Sequence, residues 1–134
     1  MAGWLLPTFA YVAMIGVAGI TTKVALRTIE WQQLVYWVPL AYVVLIVPLW
    51  LVYRKPFTLE AGGWAGLTAI LMALGLILFF LALSKGDASL VVPTSSAYPV
   101  IALIGSAIFL AESVTVPKVI GTLLVIAGVI VISS

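Results

Sequence analysis

The chain has 134 residues, of which 65% are hydrophobic and 7% are charged, and its mean hydropathy is +1.34. Soluble domains carry about 25% charged residues, so this composition excludes a water-exposed globular domain and indicates a surface that faces lipid. The chain has no cysteine and no histidine, which excludes disulfides, thiolate metal sites and the usual imidazole ligand or proton carrier. A net charge of +2 without a basic cluster gives no reason to expect a nucleic-acid partner.

Small clusters of charged residues divide the chain into five uncharged runs. A bilayer core of roughly 30 Å requires about 20 helical residues, and the runs, with the last extended past Lys118, meet that length. The predicted helices cover approximately 3–26, 31–53, 62–84, 88–111 and 116–132. The sequence therefore predicts an all-α membrane protein, with five transmembrane helices in a single domain over residues 1–134.

The first predicted helix carries Gly16, Gly19 and Lys23 on one stripe. Lys23 lies about 5 Å inside the predicted end of this helix. Its ammonium either snorkels to the headgroups or faces a cavity, where an intramembrane charge indicates function. In the second case, with no acid inside any span, it favours anionic or zwitterionic solutes. Gly19 and Lys23 are therefore candidates for the substrate path.

Glycines in the later helices predict close helix contacts, because small residues let membrane helices approach each other. These glycines are Gly66 and Gly75 in the third helix and Gly121 and Gly128 in the fifth. Between the third and fourth helices, Lys85-Gly86-Asp87 predicts a turn, with Gly86 in the left-handed conformation that commonly ends a helix.

The fourth span is the most polar of the five. Pro93 and Pro99 each remove a backbone donor, and Pro99 lies near the middle of the span. The hydroxyl residues at that level are Thr94, Ser95, Ser96 and Tyr98. Two interpretations are open: a broken helix that exposes polar groups to a substrate, or a packing kink in which the hydroxyls bond back along their own helix.

The charges give no preferred orientation in the membrane. Five helices place the two termini on opposite sides, and each side carries three basic residues: Arg54, Lys55 and Lys118 on one, and Lys23, Arg27 and Lys85 on the other. Either this balance is chance in a chain with few charges, or, because orientation follows the bias of Lys and Arg between the two sides, the chain inserts in both orientations and assembles as an antiparallel homodimer.

Four segments resemble the EamA-type pattern of the drug/metabolite transporter superfamily. They are Phe80–Pro93, Tyr98–Val100, Ile108–Glu112 and Ile120–Val129. Members of that family usually have ten helices, built as two five-helix halves of opposite orientation. The chain resembles the five-helix members, so the resemblance implies one half of a ten-helix inverted-repeat transporter, completed by a second copy.

The last helix is also similar to the terminal helix of the small multidrug resistance proteins, a four-helix branch of the superfamily. In that branch this helix carries much of the dimer contact, which implies that Gly121 and Gly128 lie at the interface. The membrane-embedded glutamate of that branch has no counterpart here, since Met1–Thr22 contains no acid. Proton-coupled export of lipophilic cations is therefore not implied.

The sequence predicts no enzyme, because it contains no acid–base pair, activated nucleophile, metal-ligand cluster or phosphate loop. We expect no cofactor and no metal. The first hypothesis is a secondary transporter of small metabolites, or of amino-acid-like or drug-like solutes, that works by alternating access in a prokaryotic cell membrane. Its expected partners are a second copy of the chain, membrane lipid and a small-molecule substrate. The alternatives are a translocator of lipids or lipid-linked headgroups and a non-transporting subunit of a membrane complex.

Overall fold

The computed structural model describes residues 3–55 and 62–133. Within those ranges the chain forms helices and no strand. The helices are α1 (Leu5–Ala25), α2 (Trp31–Tyr53), α3 (Gly62–Lys85), α4 (Ala88–Ser95), α5 (Pro99–Phe109) and α6 (Val116–Ser133). Because α4 and α5 together make one span, five segments of the described residues are long and apolar enough to cross a membrane. The prediction of an all-α, multi-pass membrane protein with five spans is confirmed.

The predicted helix bounds agree with the observed ones to within two residues at every end except in the fourth span. There the prediction of one helix over 88–111 is wrong, because the span consists of two helices separated by residues 96–98. The break comes just before Pro99, which has no N–H to donate to the Ser95 carbonyl and which instead occupies the first position of α5.

The helices form two units. The first unit consists of the part of the chain up to Gly19 and the part from Gly86 onward. In this unit α4 and α5 both pack against α6. A Cβ added to Gly19 of α1 would lie 2.7 Å from Cγ2 of Val92 in α4, so only glycine fits between the two helices at this level. Gly19 is accordingly buried.

The second unit comprises Ile20–Lys85, in which α2 packs against α3. The start of α2 is closed by the Glu30 N–H, which donates to Oε1 of Gln33 at 2.9 Å. Near the carboxyl end of α3, Phe80 and Leu83 are buried, with 4% and 0% of their surface exposed. Among the described residues these two and Gly19 are the only buried ones.

Two expectations about glycine are wrong. Gly86 is not left-handed, since no glycine in the described ranges has a positive φ; the left-handed residues are Arg54 (φ 45°) and Ala111 (φ 51°). Gly66 and Gly75 make no close contact within residues 3–55 and 62–133 either, because a Cβ added to them meets nothing there within 4 Å. The spacing of small residues marks faces that permit close approach, but the tertiary arrangement decides which of them are used.

Candidate functional site

The break between α4 and α5 is held by short-range backbone bonds. The Ser96 N–H donates to the Pro93 carbonyl at 2.9 Å, and the Ala97 N–H donates to the Thr94 carbonyl at 3.2 Å. Both bonds join residues three apart, which is the tighter spacing of a 3₁₀ turn. The chain therefore leaves the α-helical path after Ser95 and resumes it at Pro99.

Two carbonyls lose their usual helical donors at this break. Pro99 has no N–H to offer the Ser95 carbonyl, and the Val100 N–H donates to the Ala97 carbonyl at 3.3 Å instead of to that of Ser96. The carbonyl oxygens of Ser95 and Ser96 are thus acceptors without the α-helical bond that would occupy them.

The hydroxyls at this level divide into two groups. Those of Ser95 and Ser96 donate back to the Val92 carbonyl, at 2.7 and 3.3 Å, as in the packing-kink interpretation. The same backward bonding occurs at Thr8, Thr68 and Ser133. The hydroxyls of Thr94 and Tyr98 differ, because neither has a hydrogen-bond partner within residues 3–55 and 62–133, and both side chains are exposed. The segment therefore has features of both interpretations: the serine hydroxyls bond back along their own helix, while the hydroxyls of Thr94 and Tyr98 stay exposed.

The break lies deep within the span. Ser96 is eight residues from Ala88, the start of α4, which places it about 12 Å along the helix, near the middle of a hydrocarbon core of roughly 30 Å. A polar group that faces lipid at that depth without a partner costs several kcal/mol. The exposed polar face of residues 94–98 is therefore suited to water or to another polar surface, and not to lipid.

Gly19 belongs to the same unit as this segment. Its contact is with Val92, the residue before Pro93 and the acceptor of the two serine hydroxyls. The structure thus brings Gly19 together with the start of the Pro93–Pro99 segment. Gly19 acts here as a packing surface for α4.

Lys23 belongs to the second unit. Its side chain is half-buried, and Nζ donates to the carbonyl oxygen of Leu83 in the last turn of α3, at 2.9 Å. This bond was not among the two interpretations drawn from the sequence, because Leu83 is 60 residues further along the chain.

Gly121 and Gly128 lie on the side of α6 that faces away from its own unit. The half-buried residues of α6 are Val119, Thr122, Ile126 and Val129. The glycines share the other side with Leu124 and Val131, which are 68% and 73% exposed, and a Cβ added to either glycine meets nothing within 4 Å. This side of α6 offers a close approach to a second helix from outside.

Sequence reasoning missed an open surface depression of about 370 Å³ in the second unit. It is lined by Leu26, Ile29, Glu30, Trp31, Gln32 and Ser84. Nothing in the sequence places the last turn of α3 beside the start of α2. Among the residues that the structure describes, no group of three or more metal-ligating side chains could hold a metal ion.

Comparison with known proteins identifies the family. The model of the EamA-like transporter family matches residues 2–134. An uncharacterized protein of Methanocaldococcus jannaschii is 44% identical over 70 residues, which are 52% of this chain and 51% of that protein, so the match spans about half the length of each. No solved structure matches. By its match to the family model, the chain belongs to the EamA-like transporter family.

Proposed function

We propose that the chain is a secondary transporter of small polar metabolites, or of amino-acid-like or drug-like solutes, that works by alternating access in the cell membrane. Its substrate path runs past the break in the fourth span, along Pro93, Thr94, Ser95, Ser96, Tyr98 and Pro99, with Gly19 supporting the α4 side. The observation that carries this proposal is a set of polar groups near the middle of the span that lack hydrogen-bond partners within their own helix.

These groups also limit the kind of solute. The carbonyls of Ser95 and Ser96 accept hydrogen bonds, while the hydroxyls of Thr94 and Tyr98 both donate and accept. A solute with donors and acceptors replaces the bonds that it loses on leaving water, whereas a purely apolar solute leaves these groups unpaired. Small polar molecules, including zwitterions of the amino-acid type, fit this requirement.

A second copy of the chain completes the transporter in this proposal. The family match extends over residues 2–134, and the chain has five spans, the number in one half of the ten-helix members. The three basic residues on each side favour insertion in both orientations. The outward side of α6 with Gly121 and Gly128 supplies a contact for the partner. Two antiparallel copies then present two breaks to one central path.

The experiment uses proline substitutions as a matched pair. Screening metabolites by thermal shift on the purified protein first identifies a ligand, because a ligand stabilises the state that it binds, and its flux is then measured in liposomes. Pro99→Ala restores the N–H that the Ser95 carbonyl lacks, and we expect it to lose most of the flux. Pro48→Ala changes a proline inside the continuous helix α2 and should retain it.

Equal flux in Pro99→Ala and the unmodified protein would contradict a substrate path at the break. If the purified protein transports no solute by itself, and transport appears only when another subunit is present, the accessory-subunit function is favoured. Movement of a fluorescent phospholipid between leaflets without any soluble substrate would favour the lipid translocator.

A further inference from the structure

The last turn of α3 ends in a carbonyl that water cannot reach. The final four carbonyls of any α-helix have no donor within the helix, and in α3 (Gly62–Lys85) the carbonyl of Leu83 is one of these four. Asp87, whose N–H would continue the helical pattern, lies beyond the end of α3 at Lys85 and directly before α4. Since Leu83 is 0% exposed, its carbonyl needs a donor from the protein.

Lys23 supplies that donor. Its Nζ lies 2.9 Å from the Leu83 oxygen, a length typical of a charge-assisted bond. The ammonium also lies at the carboxyl end of a helix, where the macrodipole favours positive charge. The bond joins the end of α1 to the end of α3 across 60 residues of sequence.

We propose that Lys23 is a positioning residue whose ammonium caps the last turn of α3 through the Leu83 carbonyl. The side chain holds the ends of α1 and α3 together just before the chain enters the turn at Gly86. This assignment is independent of which solute is carried.

Lys118 provides a matched control. Its Nζ also donates to a backbone carbonyl at 2.9 Å, that of Ser113, but this contact is exposed. Water therefore replaces the ammonium when Lys118 is substituted, whereas it does not reach the carbonyl of Leu83. The two lysines share the type of bond and differ in the burial of the acceptor.

The test measures backbone hydrogen exchange of the full chain in lipid nanodiscs. We expect Lys23→Met to accelerate exchange in the last turn of α3 by about tenfold or more, because a buried acceptor without a partner weakens the local structure. Lys23→Arg keeps a charged donor and should stay within about threefold of the unmodified protein. In Lys118→Met, exchange in the last turn of α3 should also stay within about threefold of the unmodified protein. Exchange in α6 should not change in any of the variants.

If Lys23→Met does not fold, Lys23→Gln takes its place, because it is shorter and uncharged. Faster exchange confined to the last turn of α3, with protection restored by Lys23→Arg, supports the proposal. Unchanged exchange in that turn, or the same change in Lys23→Met and Lys118→Met, overturns it. A uniform acceleration across all helices also overturns it, because a cap acts on the end of one helix.

Discussion

The contact between Gly19 and Val92 leaves no room for a side chain on α1. A Cβ on Gly19 would lie 2.7 Å from Cγ2 of Val92, and valine has one strongly preferred rotamer in a helix. Relief of the overlap therefore requires α1 or α4 to shift. Because Val92 also accepts the hydroxyl bonds of the two serines at the break, such a shift reaches the proposed substrate path.

We expect Gly19→Ala to lower the free energy of unfolding by about 1–3 kcal/mol, the usual cost of overpacking, measured as a lower midpoint of thermal unfolding. Gly16→Ala is the control, since its Cβ meets nothing within 4 Å. Adding Val92→Ala to Gly19→Ala removes the overlapping methyl group and should recover most of the loss. Equal stability of Gly19→Ala and Gly16→Ala would show that the contact is not restrictive.

The end of α5 carries a strained residue. The N–H groups of Leu110 and Glu112 both donate to the Ser106 carbonyl, at 3.1 and 3.2 Å, with Ala111 between them at φ 51°. The left-handed conformation costs a residue with a Cβ about 1–2 kcal/mol, and glycine avoids this cost.

Ala111→Gly should therefore raise the free energy of unfolding, by up to about 1 kcal/mol after the greater chain entropy of glycine in the unfolded state is subtracted. Ala127→Gly, in the regular helix α6, should lower it by roughly 0.5–1 kcal/mol. Denaturation of both variants in the same detergent compares the two effects. A loss of stability in both would contradict the strain at Ala111.

The sequence identifies Gly16 and Gly19 as equivalent members of one stripe, but only Gly19 contacts another helix. The difference depends on where α4 crosses α1, which is a non-local property that the spacing of small residues does not contain. The partner of Lys23 was unpredictable for the same reason. The residue types were therefore predictable as candidates, and their contacts were not.

The five spans, by contrast, were predictable from hydropathy and charge, because the thickness of the bilayer imposes the length of each uncharged run. The break in the fourth span was only partly predictable. Helix α2 contains Pro39 and Pro48 and remains continuous, whereas Pro93 and Pro99 frame a break. The first pair is nine residues apart, which leaves complete helical turns between the prolines, while the second pair is only six residues apart.

At this break we expect Pro99→Ala to join α4 and α5. In a continuous helix the new N–H of residue 99 donates to the Ser95 carbonyl, and one additional backbone bond contributes about 1 kcal/mol. Hydrogen exchange over residues 96–100 should therefore slow by about fivefold. Pro48→Ala should leave exchange over this segment unchanged, and an unchanged rate in Pro99→Ala would show that other contacts hold the break open.

The whole molecule has few buried residues within one chain. Among the described residues, Phe80 and Leu83 are the only buried large apolar side chains, so most of the apolar surface is available to lipid or to a partner. In the dimer that we propose, neighbours would cover the outward side of α6 with Gly121 and Gly128 and the exposed polar groups at the break. An antiparallel dimer requires the chain to insert in both orientations, which is what the balanced count of basic residues predicts.

The orientation of the chain in the membrane tests this account most directly. The sequence has no cysteine, so single cysteines introduced by Thr28→Cys and Ser113→Cys report on the connections that follow α1 and α5, where both residues are exposed. Membrane-impermeant maleimide is applied to intact cells, and then again after permeabilisation to measure total labelling. The account predicts that about half of each variant is labelled from outside, because the basic residues are balanced. Labelling of one position only from outside, and of the other only from inside, would contradict the antiparallel homodimer.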